Sequence, residues 1–158
     1  MRIYTVSFFG HRTLKHALTV EQEILRIVRD LLREKEYVEF LVGRNGEFDL
    51  LAASVVKRCQ RLFRKDNSAL IWMLPYDSAE YRDHEADYLD YYDDVEISRK
   101  AAGAHFKAAI RIRNQEMIDR SDLVLFCVER ESGGAYHALQ YAREKGIRFI
   151  NLAKGEQS

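Results

Sequence analysis

Several features that mark a specialised chain are scarce here. Cysteine occurs only twice, at Cys59 and Cys127, which is too few for the disulfide framework of a small secreted domain. Cys59 falls in a helical pattern and Cys127 in a buried-strand pattern, and both read as free core thiols in a reducing compartment. Proline occurs once, at Pro75. No repeat, low-complexity stretch or flexible linker interrupts the chain, so one domain over residues 1–158 is expected. Net charge is also missing: 25 Lys and Arg balance 25 Asp and Glu. Nucleic-acid-binding domains usually carry a basic excess, so nucleic acid is not expected as a partner. No apolar run approaches the roughly 18 residues of a membrane span. Met1-Arg2-Ile3-Tyr4 runs straight into a strand pattern without a signal-peptide core. No membrane partner is expected, and the cytoplasm is the expected location. The histidines at positions 11, 16, 84, 105 and 137 are scattered outside any H-E-x-x-H pattern, and neither a metal nor a cofactor is implied.

What is present is an alternation of short apolar runs and amphipathic segments. Ile3–Phe9, Val38–Val42, Ala69–Leu74, Leu123–Val128 and Ile147–Leu152 are rich in β-branched, aromatic and aliphatic residues. Continuous apolar strands, rather than alternating ones, are expected where both sheet faces are covered. Between them lie helical patterns. The first has Thr19 as N-cap with Gln22 completing a capping box. Others run over about 47–64, 101–120 and 135–145, the last closed by Gly146 as a C-cap glycine. This alternation predicts a three-layer α/β/α, Rossmann-like domain with a parallel five-stranded sheet in the order 3-2-1-4-5. Residues 76–98, dense in Asp, Glu and Tyr, read as a solvated surface segment with a short helix of uncertain ends, a lid over the site, or a subunit contact.

In such a sheet, ligands bind beyond the C-terminal strand ends at the point where strand order reverses. Three loops there carry glycine. Phe9-Gly10-His11-Arg12 offers close backbone approach at Gly10, a hydrogen-bond donor in His11 and a phosphate-gripping guanidinium in Arg12. Gly43-Arg44-Asn45-Gly46-Glu47-Phe48-Asp49 opens a helix, whose free N–H groups make an anion site. Glu47 and Asp49 would repel a phosphate there, and Asp49 suits a ribose or base instead. Ser132-Gly133-Gly134-Ala135 opens another helix by the same logic, with Ser132 as an extra donor. The bland alternative at each loop is a plain turn with capping residues. Arg113 and Asn114 sit on the helix before the fourth strand, where Arg113 is either an ordinary surface cation or a charge reaching into the crevice.

Taken together, these loops resemble a known pattern. Phe9-Gly10-His11-Arg12 resembles the F-x-G-H-R signature of YpsA-like proteins of the SLOG superfamily, which also holds DprA-type DNA-binding proteins and the LOG cytokinin-activating enzymes. Gly43 to Asp49 is similar to the family's G-x-x-x-G-F-D, with Glu47 inserted before Phe48-Asp49. Arg113 to Asp122 is similar to R-N-x-x-M-V-D-x-S-D, and Gly133-Gly134 with Tyr141-Ala142 to G-G-T…Y-A.

The resemblance implies nucleotide or nucleotide-derivative binding at Gly10, His11, Arg12, Gly43, Gly46, Asp49, Arg113, Asn114, Ser132, Gly133 and Gly134. LOG enzymes hydrolyse the N-glycosidic bond of nucleoside 5′-monophosphates with an arginine, matched here by Arg113, and a glutamate in P-G-G-x-G-T-x-x-E. That second motif departs at Ser132, Tyr136, His137 and Gln140, the last standing at the glutamate position. Ala135 likewise stands where the YpsA-like pattern has threonine. The reading is therefore a non-catalytic nucleotide-binding or sensing domain. The alternative is a phosphoribohydrolase using Arg113 with Glu116, Asp49 or Glu131 as the replacement acid. A homo-oligomer is also expected, because LOG enzymes dimerise and tyrosine is enriched at interfaces.

Overall fold

A computed structural model describes residues 1–158, the side chain of Glu156 apart. Strand β1 (Ile3–Gly10) leads into α1 (Ala17–Glu34), β2 (Tyr37–Val42), α2 (Glu47–Leu62) and β3 (Ser68–Leu74). Two short helices follow, α3 (Ala79–Asp83) and α4 (Glu85–Tyr91), then β4 (Asp94–Ile97). The chain closes with α5 (Phe106–Arg120), β5 (Leu123–Cys127), α6 (Gly134–Lys145), β6 (Phe149–Asn151) and β7 (Glu156–Gln157).

The sheet is seven-stranded, not five-stranded, in the order β4-β3-β2-β1-β5-β6-β7. All pairings are parallel except the last, β6 with β7. The five anticipated strands are its interior, and each edge gains one more. Both additions lack the apolar run that marks a doubly covered strand. Asp94-Val95-Glu96-Ile97 alternates acid with apolar, as a solvated edge strand does, and β7 is only two residues long.

Residues 76–98 are more than a solvated segment. Tyr81, Tyr88 and Tyr92 pack their rings on Trp72 of β3 at 5.9, 4.7 and 5.4 Å between centroids. Asp93 then anchors the start of β4 by accepting from the Leu70 amide at 2.7 Å.

Alternate residues of each interior strand feed two cores. Val6, Phe8, Phe40 and Leu125 face α1 and α2. Phe9, Leu41, Val124 and Phe126 face the other layer, where Met117 and Leu139 pack from α5 and α6. Two helix starts differ from expectation. Helix α1 begins at Ala17 with His16, in the left-handed region at φ 56°, as N-cap, so Thr19 lies inside it. The preceding loop is set from a distance instead: the Leu14 amide donates to Glu47 Oε2 at 2.7 Å. Helix α5 begins at Phe106 rather than near Ala101, after a turn in which the Ala101 amide donates to Ser98 Oγ. Among the described residues, no helix is long and apolar enough to cross a membrane.

Candidate functional site

Strand order reverses at β1, whose neighbours are β2 and β5. A cleft of about 320 Å³ opens at the C-terminal end of this junction. Four chain segments build it: the end of β1 with its loop, the start of α2 with Gly43, one face of α5, and the loop into α6 with its first turn.

Arg113 dominates the cleft. It is 2% exposed, which is rare for an arginine that is not closely paired. It reaches from α5 over the sheet edge, donating from Nη1 to the Met73 carbonyl at 2.8 Å and from Nε to Asn114 Oδ1 at 2.9 Å. Among the described residues nothing accepts from Nη2. A buried guanidinium has five N–H donors and no ability to neutralise easily. Burial nevertheless lowers its pKa to about 10, opposed by Asp49 and Tyr76, so it stays charged at neutral pH.

Asp49 is the counter-group. It is 7% exposed and lies in the first turn of α2. Its Oδ2 accepts from the Asn45 amide at 2.9 Å. Burial pushes its carboxyl up to about 6, against the pull of that amide and of Arg113. Gly43 sits between the two charges. A Cβ there would lie 3.3 Å from Asp49 Oδ2 and 3.4 Å from Arg113 Nη1. Yet the described ion pairs do not include Asp49 with Arg113. The guanidinium therefore retains capacity for another anion.

The start of α6 lines the same cleft. Gly133, at φ 92°, caps α6 in a conformation that favours glycine. No acid stands in the first turn of α6, whereas Glu47 and Asp49 occupy that of α2. The first N–H groups of a helix have no intrahelical acceptor, and a Cβ at Gly133 or Gly134 would meet nothing within 4 Å. Of the two helix starts flagged by the sequence, only that of α6 is free of acidic side chains in its first turn. At α2 the acids serve the chain itself, Glu47 on the Leu14 amide and Asp49 on the Asn45 amide.

The glycines of the other loops have packing roles. A Cβ on Gly10 would lie 2.4 Å from Phe48 Cγ, so this glycine admits a core ring rather than a ligand. Gly46 is outside the cleft and abuts Arg12, whose Cα would be 2.4 Å from its Cβ. Its backbone is extended, which any residue adopts, so the cost of G46A is purely steric. Because the obstacle is backbone, G46A should destabilise by about 1–3 kcal/mol. The melting point should fall by roughly 3–10 °C, and calorimetry checks this.

His11 is an acceptor, not the expected donor. Its Nε2 takes the Glu129 and Arg130 amides, each at 3.2 Å, and ties the β1 loop to the β5 loop. Burial and then the Arg130 charge lower its pKa, opposed by Glu129.

Gly10, His11, Arg12, Gly43, Asp49, Arg113, Asn114, Gly133 and Gly134 therefore meet at the cleft. Gly46, Ser132 and Glu116 do not line it. Glu116 instead accepts from Ser98 Oγ at 3.2 Å on α5, outside the residues that line the cleft. Six lining residues were not among the candidates: Phe8, Phe9, Asn45, Ile110, Arg130 and Ala135. Arg130 carried a readable signal, as a cation just past the strand at the switch point.

No family model matches the chain, and no curated protein does. Solved structures do. DNA processing protein A of Helicobacter pylori, described for its unique single-stranded DNA binding mode, superposes with a TM-score of 0.63 at 15% identity, over 94% of this chain and 64% of that one. DNA processing protein A (DprA) of Streptococcus pneumoniae superposes with a TM-score of 0.66 at 13% identity, over 94% and 50%. This chain thus spans between half and two thirds of the length of those neighbours. The likeness establishes a Rossmann-like α/β fold shared with DNA processing protein A.

It also corrects one expectation. Neutral net charge does not set nucleic acid aside, since a protein of this fold is described as binding single-stranded DNA. Net charge sums the whole surface and hides the clustering of Arg12, Arg113 and Arg130 at one edge.

Proposed function

We propose that this protein is a nucleotide-ligand binding or sensing domain of the SLOG type, on the YpsA-like branch. The phosphate sits between the α6 N-terminus and Arg113. The observation that carries this reading is the buried guanidinium with Nη2 unpartnered, in a cleft that the acid-free start of α6 also lines. Arg12 and Arg130 add exposed positive charge at the rim. Asp49 lies where a ribose hydroxyl or base would be read.

A second reading has its own support. Asp49 lines the same cleft and titrates near 6, within the range of a general acid at neutral pH. It would serve hydrolysis of the N-glycosidic bond of a nucleoside 5′-monophosphate, with water adding to the ribose carbon as the base leaves. The single strand bound by the Helicobacter pylori protein carries the same phosphate chemistry, so an oligonucleotide belongs in the test. Thermal melting against AMP, ADP-ribose, NAD, cyclic dinucleotides and a short dA oligomer separates these readings. A ligand at 100 times its Kd stabilises by about 2.7 kcal/mol, or roughly 5–10 °C here. Binding without base release supports sensing, base release supports the hydrolase, and a flat response to every probe removes both.

A further inference from the structure

A second cavity adjoins the first. It is a groove of about 670 Å³ between α5 and α6 that shares Ile110, Asn114 and Gly134 with the cleft. Both helices run antiparallel to the sheet and start at its C-terminal edge. The groove therefore leads away from the cleft along their length. Tyr141 is seven residues beyond Gly134, about 10 Å at 1.5 Å per residue, which is the length of one further nucleoside.

Its chemistry changes along that path. Near the cleft, Lys107 and Arg111 edge it, and both are exposed. The floor is Ile110 and the buried Ala138. At the far end stands Glu144, beside Tyr141, whose hydroxyl donates to Asp119 at 2.6 Å. Positive charge next to the anion site, an apolar floor, then acceptor groups is the polarity of a nucleotide entered phosphate first. Cations meet a phosphate, the floor takes a flat ring, and the carboxylate accepts from ribose hydroxyls or a base amine.

Resting on the reading of the cleft as a phosphate site, we infer that the α5–α6 groove is a second subsite, and that the ligand is two nucleosides joined through phosphate. The linking phosphate lies by Lys107 and Arg111, and the second nucleoside lies over Ala138. Such chemistry occurs in a pyrophosphate-linked dinucleotide and in one step of a single strand. Glu144 limits the anionic track to the near half of the groove, so chain length beyond two units adds nothing within it.

Calorimetric titration of the full chain with AMP, NAD and the dinucleotide pdApdA tests this, in wild type, R111A and H137A. Arg111 and His137 are exposed and line the groove but not the cleft. NAD or pdApdA should bind at least ten-fold tighter than AMP, and whichever does so identifies the source. R111A should remove most of that advantage while AMP affinity stays within two-fold, and H137A should weaken the dinucleotide by several-fold. Equal affinity for AMP and both dinucleotides overturns the second subsite and leaves the cleft reading standing. Groove variants that weaken AMP as much as the dinucleotide do the same. If none of the three probes binds, the cleft reading and the subsite fall together.

Discussion

Replacing Arg113 with methionine should weaken AMP binding by more than 100-fold. Methionine keeps most of the volume and removes the charge and the planar fork. A charge-assisted hydrogen bond contributes about 1.5–3 kcal/mol, and two from one guanidinium exceed the roughly 2.7 kcal/mol that corresponds to 100-fold. The fold should survive. Removing one of two buried opposite charges is destabilising while the other stays ionised, but uptake of a proton by Asp49 relieves part of that cost, and the Met73 carbonyl and Asn114 Oδ1 lose a donor. The Asp49 carboxyl, deprived of a nearby positive charge, should move above its value of about 6 and become neutral. R113K should fall between wild type and R113M, because an ammonium supplies charge without the bidentate geometry. Calorimetric titration measures all three. An AMP affinity in R113M within about three-fold of wild type would place the anion elsewhere.

The second large effect is a dependence of affinity on pH, written by Asp49. Its carboxyl titrates near 6 in the folded chain, above its ordinary 3.8. A bound anion raises that value further, so binding takes up a proton. Affinity should be greatest below about pH 6, where Asp49 is already neutral, and decline as the pH rises above 6. Unit charges separated by roughly 6–8 Å at an effective dielectric near 20 interact by about 2–3 kcal/mol. The change should thus be about 30- to 150-fold. D49N keeps an oxygen for the Asn45 amide and should bind with a flatter profile. AMP's own phosphate titrates in the same range, so the wild-type profile minus the D49N profile is the readout.

Stability without ligand follows the same group. A folded pKa above the unfolded one contributes stability that is fully present below 3.8 and lost as the pH rises through 6. The span from 3.8 to about 6 amounts to roughly 3 kcal/mol at about 1.36 kcal/mol per pH unit. Coincident pH profiles in wild type and D49N would remove Asp49 from the account.

How far the sequence carries the reader depends on what each residue touches. Interior strands such as Leu123–Cys127 are legible because covering both faces forces every position to be apolar. Strand β4 is not, because its acids Asp94 and Glu96 are suited to an exposed edge and resemble loop composition. The glycine loops locate the cleft, but glycine itself does not declare what fills the space a side chain would take. Phe48 fills it at Gly10 and the Arg12 backbone at Gly46, while at Gly133 and Gly134 it is open. Arg113 was legible as a candidate, yet its burial and the free Nη2 depend on Met73, forty residues away in sequence. No local pattern holds that information. The acids of α2 and the acid-free start of α6 were both readable, and together they already distinguish the two helix termini.

The most direct test of the account is to follow backbone amides by NMR as AMP is added to the full chain. A phosphate held at the α6 N-terminus should move the Gly134, Ala135 and Tyr136 amides most, together with the Arg113 side-chain N–H signals. Saturating shifts centred on Gly46–Asp49, with the α6 amides unmoved, would contradict it.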